Sequence, residues 1–289
     1  MRIFAKGWSN GFDGPGRRFV YYLKGCNFRC FWCGSPESIF PDPEILFYPD
    51  KSEFVASCCN KGAVEGNHLK REICSNCDTM ACVNIWHNRA FVLAGTEISK
   101  SGILQDIEQR MPMVGTSGGI TFSGGEPTLQ LDEVLDIAQE LKARGINLII
   151  ETNASSSRFK ELYDSFDLLI CDLKAITPEL HQQMTGADND MILENISDAV
   201  TAGVNMIIRV PLIEELNFTI SERERFYRFF CDIKPAKVEF LRLHQLGFPK
   251  YEALGQSCPA KNLNPPKKEA VENFCESLNS IGVNATLLH

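Results

Sequence analysis

The sequence of 289 residues predicts an α/β fold of repeated βα units, interrupted once by a small cysteine-rich insertion. Three observations carry this. From Gly118 onward, short unbroken apolar runs alternate with amphipathic stretches, the pattern of strands buried on both faces with helices between them. Residues 47–95 follow neither period yet hold five of the twelve cysteines. Three more cysteines sit within eight positions in "YYLKGCNFRCFWCG" (21–34), just after an apolar run.

In chain order, "RRFVYYLKG" (17–25) reads as a strand leading into the first cysteine cluster. "GITF" (119–122), "NLIIET" (147–152), "LLICDL" (168–173), "NMIIRVP" (205–211) and "KVEFLRLH" (237–244) read as five further strands, giving six. Leu131, Val134, Leu135, Ala138 and Leu141 paint one helical stripe, and Gly145 stands where that helix would stop. Ser221 with Glu224 forms a capping box for a helix running to about Ile233. Such a series closes either as an open doubly wound sheet or as a partial (βα)6, TIM-like barrel, and the pattern does not decide between them. The chain divides into 1–46 and 96–289, forming one α/β core, and 47–95, an insertion folded around metal. Cys171, Cys231, Cys258 and Cys275 are assigned to packing, as are Met184, Met191 and Met206.

The formal charge is −8 and no Lys/Arg run exceeds two residues, which argues against nucleic acid as a partner. No segment approaches the roughly 20 apolar residues of a membrane span, and "MRIFAKGWSNGFDGPG" lacks a signal-peptide core, so a soluble cytoplasmic protein is expected. There, thiols stay reduced, and clustered thiols bind metal more often than they form disulfides.

Cys26, Cys30 and Cys33 are spaced Cys-x3-Cys-x2-Cys at a strand end. Structural zinc wants four tetrahedral ligands, whereas this loop offers three and no nearby histidine. Three thiolates suit a cubane [4Fe-4S] cluster with one iron left open.

This spacing, with Trp32 before the last cysteine, resembles the signature of the radical S-adenosylmethionine (SAM) superfamily. The resemblance implies a partial barrel in which the open iron is chelated by SAM. Ser123, Gly124, Gly125 and Glu126 in "TFSGGEPTLQ" (121–130) are similar to the family's element for the SAM amino group; the bland reading is a glycine turn. Further stretches resemble one branch, the activating enzymes of glycyl radical enzymes. "FDGPGRRF" (12–19) implies Asp13 at the target peptide. "ETN" (151–153) and "CDLK" (171–174) imply Glu151, Thr152 and Asp172 around a monovalent cation, with Lys174 at SAM. Arg209 and His244 fall at the substrate and adenine sides. "NPPKKEAVENF" (264–274) is similar to that branch's C-terminal helix start. Read singly, Glu151, Asp172 and Arg209 fit a buried ion pair, and His244 a core histidine. Two departures stand out: Gly34-Ser35 replaces a usual His-Asn, and Glu151 is one methylene longer than the usual aspartate.

Relatives with an insertion hold two ferredoxin-type cubanes, the fourth cysteine of each motif ligating the other cluster. Here Cys74, Cys77 and Cys82 survive from one motif, with Trp86 at its fourth position. Cys59 survives from the other, with Ser52 and Val55 at lost positions. Under the swapping rule the survivors serve one auxiliary [4Fe-4S] cluster, with Cys58 as the alternative to Cys59 and a four-thiolate zinc site as the bland reading. His87 is read as a surface residue.

The expected activity is reductive cleavage of SAM to a 5′-deoxyadenosyl radical, which takes a hydrogen from a glycine of a partner enzyme. Cys26, Cys30, Cys33, Lys174 and Arg209 would carry it, with a flavodoxin- or ferredoxin-type reductant. Alternatives are a radical SAM enzyme acting on a small molecule, an activase of anaerobic ribonucleotide reductase, or a non-catalytic electron carrier.

Overall fold

A computed structural model describes residues 1–51, 59–84, 90–115 and 117–288. Its strands are β1 (Arg2–Gly11), β2 (Gly14–Leu23), β3 (Glu44–Phe47), β4 (Val64–Glu65), β5 (His68–Leu69), β6 (Phe91–Ala94), β7 (Thr96–Glu97), β8 (Gly119–Gly124), β9 (Leu148–Thr152), β10 (Leu168–Asp172), β11 (Met206–Leu212), β12 (Val238–Arg242) and β13 (Ala285–Leu287). The helices are α1 (Arg71–Cys74), α2 (Lys100–Val114), α3 (Leu131–Ala143), α4 (Pro178–Thr185), α5 (Asp190–Thr201), α6 (Ile220–Ile233), α7 (Phe248–Ala253) and α8 (Lys268–Asn279).

One sheet runs β13-β12-β11-β10-β9-β8-β2-β1-β7. The six expected strands lie together in it and are parallel throughout. The sheet is larger than expected. Short β13 extends the parallel run beside β12, while β1 folds back antiparallel on β2 through the turn at Gly11–Gly14, with β7 beyond it. Gly14 has φ +110, and a Cβ there would collide with Ile149; only glycine lets this hairpin enter the barrel.

Side-chain parity sorts the parallel strands into two faces. Phe122, Ile150, Cys171, Ile208 and Phe240 point to the helices and share the main core. On the inner face Ile149, Leu168, Ile170 and Ile207 form a small apolar layer. Helix α3 presents Leu131, Val134, Ile137, Ala138 and Leu141 to the main core and ends before Gly145, whose φ is +72. The α6 cap differs from expectation. Thr219, not Ser221, caps the helix by accepting from Glu222 N at 3.3 Å. Glu222 instead accepts from the backbone N–H groups of Ile176 and Thr177 and the Thr177 hydroxyl, fastening the loop after β10. Of the residues assigned to packing, Cys171 and Cys275 are buried, Cys231 and Cys258 are half-buried, and Met191 is exposed.

The insertion leaves and rejoins the core through a ribbon in which β3 pairs antiparallel with β6, Glu44 opposite Ala94 and Phe47 opposite Phe91. Its own core is small: Ile45, Phe47, Ala63, Leu69, Ala90 and Phe91, with Cys59, Cys74 and Cys82 packed against it.

Candidate active site

The inner apolar layer is capped, two residues further along each strand, by a charged one. Glu151 follows Ile149, Asp172 follows Ile170 and Arg209 follows Ile207, so all three face the same interior at the C-terminal strand ends. Register places Arg209 directly opposite both Asp172 and Glu239. Its guanidinium donates to Glu151 Oε1 at 2.8 Å and, through Nε and NH2, to Glu239 Oε2 at 3.2 and 2.9 Å. Ser123 Oγ donates to the other Glu151 oxygen at 2.6 Å. Burial pushes Glu151 up to about 7; Arg209 opposes this, and nearby Asp13 reinforces it. Lys174 donates to Asp172 at 2.9 Å. Burial works against its charge, but Asp172 and Cys30 outweigh that and hold it above the usual lysine range. Asp13 lies beside this layer in the β1–β2 turn, accepting from the Tyr22 hydroxyl at 3.3 Å.

The cysteine loop sits across these strand ends. Gly25 N donates to Ser38 O (2.7 Å) and Cys26 N to Ile39 O (3.0 Å), so the chain after Cys33 returns to brace the chain before it. Gly125 N donates to Leu23 O and Glu126 N to Gly25 O, docking the β8 turn on the same spot. A Cβ on Gly125 would collide with the Gly25 carbonyl, which explains glycine there.

Cys26, Cys30 and Cys33 border a cavity of 170 Å³ together with Phe28, Ser123, Gly125, Asp172 and Lys174. Among the described residues, no three His, Cys, Asp or Glu side chains converge as a single metal ion would require. Three thiols spread along a cavity wall fit a polyatomic cluster instead. Phe28 N donates to Cys26 Sγ at 3.4 Å. Burial pushes Cys26 up to about 12 and raises Cys30 and Cys33 as well, so bound iron would be what holds them as thiolates.

A second cavity of 340 Å³ adjoins the first and shares Cys30, Cys33, Gly124, Glu151, Asp172 and Lys174 with it. Trp32, Arg209, Leu243 and His244 also line it. The His244 ring lies against Gly34, at 3.4 Å from where a Cβ would stand.

Glu126 faces away from both cavities. Its carboxylate accepts from Thr128 N (3.0 Å), Thr128 Oγ1 (2.7 Å), Thr152 Oγ1 (2.7 Å) and Asn153 N (2.7 Å) and is 1% exposed. It joins the β8 turn to the end of β9. The Thr152 hydroxyl, spent on Glu126, also accepts from Ala154 N at 3.1 Å.

Sequence reasoning missed three contributors. Glu239 carries the far side of Arg209; its signal was an acid inside an apolar strand. Asn153 donates to Asn27 Oδ1 at 2.8 Å, tying the end of β9 to the cysteine loop. Lys24, whose side chain is fully buried, donates to Glu37 O (2.6 Å) and Glu44 Oε2 (2.9 Å), and Arg71 pairs with the same Glu44. This network joins the loop after Cys33 to the insertion, and nothing in the sequence marked it.

In the insertion, Cys59, Cys74, Cys77 and Cys82 are electrostatic neighbours: burial raises Cys74 to about 11, with Cys82, Cys59 and Cys77 adding to the effect. Ala63 N donates to Cys59 Sγ at 3.3 Å. Ser52, Val55, Cys58, Trp86 and His87 lie outside the described residues.

A parallel sheet whose strand ends carry a three-cysteine loop matches a known class. The sequence model of the radical SAM superfamily matches residues 20–230, and the chain belongs to that superfamily. It is 30% identical over 259 residues to the 4-hydroxyphenylacetate decarboxylase activating enzyme of Clostridioides difficile (strain 630), covering 84% of this chain and 82% of the relative. It is 30% identical over 296 residues to the (2S)-3-sulfopropanediol dehydratase activating enzyme of Klebsiella oxytoca, covering 95% and 93%. Among solved structures, a domain of pyruvate-formate lyase-activating enzyme from Bacteroides vulgatus superposes with a TM-score of 0.50 at 26% identity, over 60% of this chain and 99% of that one. Within the superfamily the chain is an activating enzyme of the kind that serves glycyl radical enzymes. Among the described residues, no helix is long and apolar enough to cross a membrane.

Proposed function

We propose that this chain installs a radical on a glycine of one partner enzyme, with its two adjoining cavities serving as cluster site and SAM site. The observation that carries the reading is the continuity of those cavities across Cys30, Cys33, Asp172 and Lys174. With the cluster and SAM bound, an electron passed to the sulfonium supplies methionine and a 5′-deoxyadenosyl radical, which takes the glycine hydrogen.

The chain's own residues do the rest. Cys26, Cys30 and Cys33 would hold three irons of the cluster and leave one without a protein thiolate. The backbone of Ser123, Gly124 and Gly125 would meet the SAM amino group, since the Glu126 carboxylate is spent on protein donors. Lys174 and Arg209 supply N–H donors for the SAM carboxylate. Trp32, Leu243 and His244 offer apolar and aromatic surface for the adenine, and Asp13, beside Glu151, lies on the side from which a peptide loop would come. A glycine suits the target because a residue without a side chain can approach that crowded interior.

The auxiliary cubane we assign to Cys59, Cys74, Cys77 and Cys82, with a flavodoxin- or ferredoxin-type protein as electron donor. The test is anaerobic reconstitution, reduction with SAM, and assay of 5′-deoxyadenosine, followed by paramagnetic resonance with candidate glycyl radical enzymes. Release of 5′-deoxyadenosine without a glycyl signal from any protein would favour a small-molecule substrate. No release at all would leave an electron carrier.

A further inference from the structure

The expected monovalent cation does not fit the donors assigned to it. Both Glu151 oxygens are engaged, one by Arg209 at 2.8 Å and the other by Ser123 at 2.6 Å. The Thr152 hydroxyl donates to Glu126 and accepts from Ala154 N. Asp172 is paired with Lys174 at 2.9 Å. A hard cation needs several oxygens with free lone pairs. Here it would stand beside two resident cations, Arg209 and Lys174, that already pair with those carboxylates.

We propose that the chain supplies its own cation: Arg209, clamped between Glu151 and Glu239, and Lys174, on Asp172, replace the alkali ion, so SAM binds without sodium or potassium. The extra methylene of Glu151 explains the exchange, since it carries the carboxylate far enough along the barrel to meet Arg209 on β11, two strands away. Of the five guanidinium N–H donors, the bonds to Glu151 and Glu239 occupy three. The rest remain for an incoming carboxylate, as do the Lys174 donors that Asp172 leaves over. Both side chains line the 340 Å³ cavity. Glu239 is shared with Lys237, which donates to its other oxygen at 2.7 Å.

The inference rests on SAM being the ligand of that cavity, and the experiment separates the two. The reconstituted holoenzyme is moved into tetramethylammonium chloride, and SAM binding is measured by calorimetry while sodium or potassium replaces it at constant ionic strength. Affinity is expected to change by less than about twofold across the series, whereas a tightening of about tenfold or more with either ion would overturn the proposal. Arg209→Gln is expected to weaken binding in tetramethylammonium by about ten- to a hundredfold, the worth of one charge-assisted contact; unchanged affinity would also overturn it. If that variant does not fold, Glu151→Asp, which withdraws the carboxylate from Arg209, is expected to make binding respond to potassium, and an unresponsive variant would count against the clamp. Absence of binding in every salt would overturn the site assignment itself, an outcome distinct from ion dependence.

Discussion

Replacing Glu126 by glutamine asks whether this residue serves the ligand or the fold. Its carboxylate accepts from four protein donors and is 1% exposed, so SAM has little of it to reach. A glutamine keeps one oxygen, which can remain on Thr128 and Thr152, but turns an amide nitrogen toward Asn153 N, a donor facing a donor at 2.7 Å. The loss is one charge-assisted hydrogen bond, about 1.5–3 kcal/mol, plus an orphaned backbone N–H, about 1–3 kcal/mol. Against that stands relief of a buried charge, which burial already disfavours, since it raises the Glu126 pKa. The net destabilisation expected is about 2–3 kcal/mol for Glu126→Gln and about 5 kcal/mol for Glu126→Ala, which orphans every donor. Urea midpoints of the SAM-free protein, measured anaerobically, read this directly. Calorimetric SAM affinity of the folded glutamine variant should stay within about threefold of the parent. A glutamine variant with an unshifted midpoint but SAM affinity lower by about a hundredfold would mean the carboxylate grips the ligand, and the structural role would be refuted.

Changing Cys26, Cys30 and Cys33 together to alanine should abolish SAM cleavage yet leave about four irons per chain by metal analysis, held by the insertion; near-zero iron would defeat the auxiliary assignment. Gly125→Ala forces a side chain into the Gly25 carbonyl and should cost about 3 kcal/mol or more, seen as a lowered urea midpoint. Glu151 has a side chain 19% exposed and a folded-state pKa raised to about 7 from 4.5. The folded chain therefore holds that proton more tightly than the unfolded one. This stabilisation is complete below the unfolded value and lost as pH rises through about 7, on the order of 3 kcal/mol. Comparison of urea midpoints at pH 5.5 and 8 should show the slope in the parent and a flatter one in Glu151→Gln.

The six parallel strands were legible because unbroken apolar runs alternate with amphipathic stretches, and most cavity-lining residues were legible through the resemblance of their motifs to one family. What sequence concealed was partnership. Arg209 was visible in its strand, but its clamp depends on Glu239 one strand over and Glu151 two strands over, a matter of register rather than of local pattern. Strand β1 was overlooked because Gly7, Ser9 and Asn10 break its alternation, although it pairs with β2 from Ile3 to Gly11. The α6 cap was displaced by two residues because Thr219 with Glu222 and Ser221 with Glu224 both satisfy the same local rule. Tertiary structure chose between them by giving Glu222 to the loop at Ile176 and Thr177.

The β3–β6 ribbon brings the two ends of the cysteine-rich module side by side, and Arg71, donating to Leu254 O, ties the module to the end of α7 as well. A module whose two ends meet in this way can be trimmed back to a tight turn without altering strand order in the main sheet. Cutting beyond Phe47 and before Phe91 would spare Glu44, and with it the neutralising partner of buried Lys24, while discarding Arg71. Evolution could thus edit the cysteine-rich module at that ribbon while keeping the residues that line the cavities next to it.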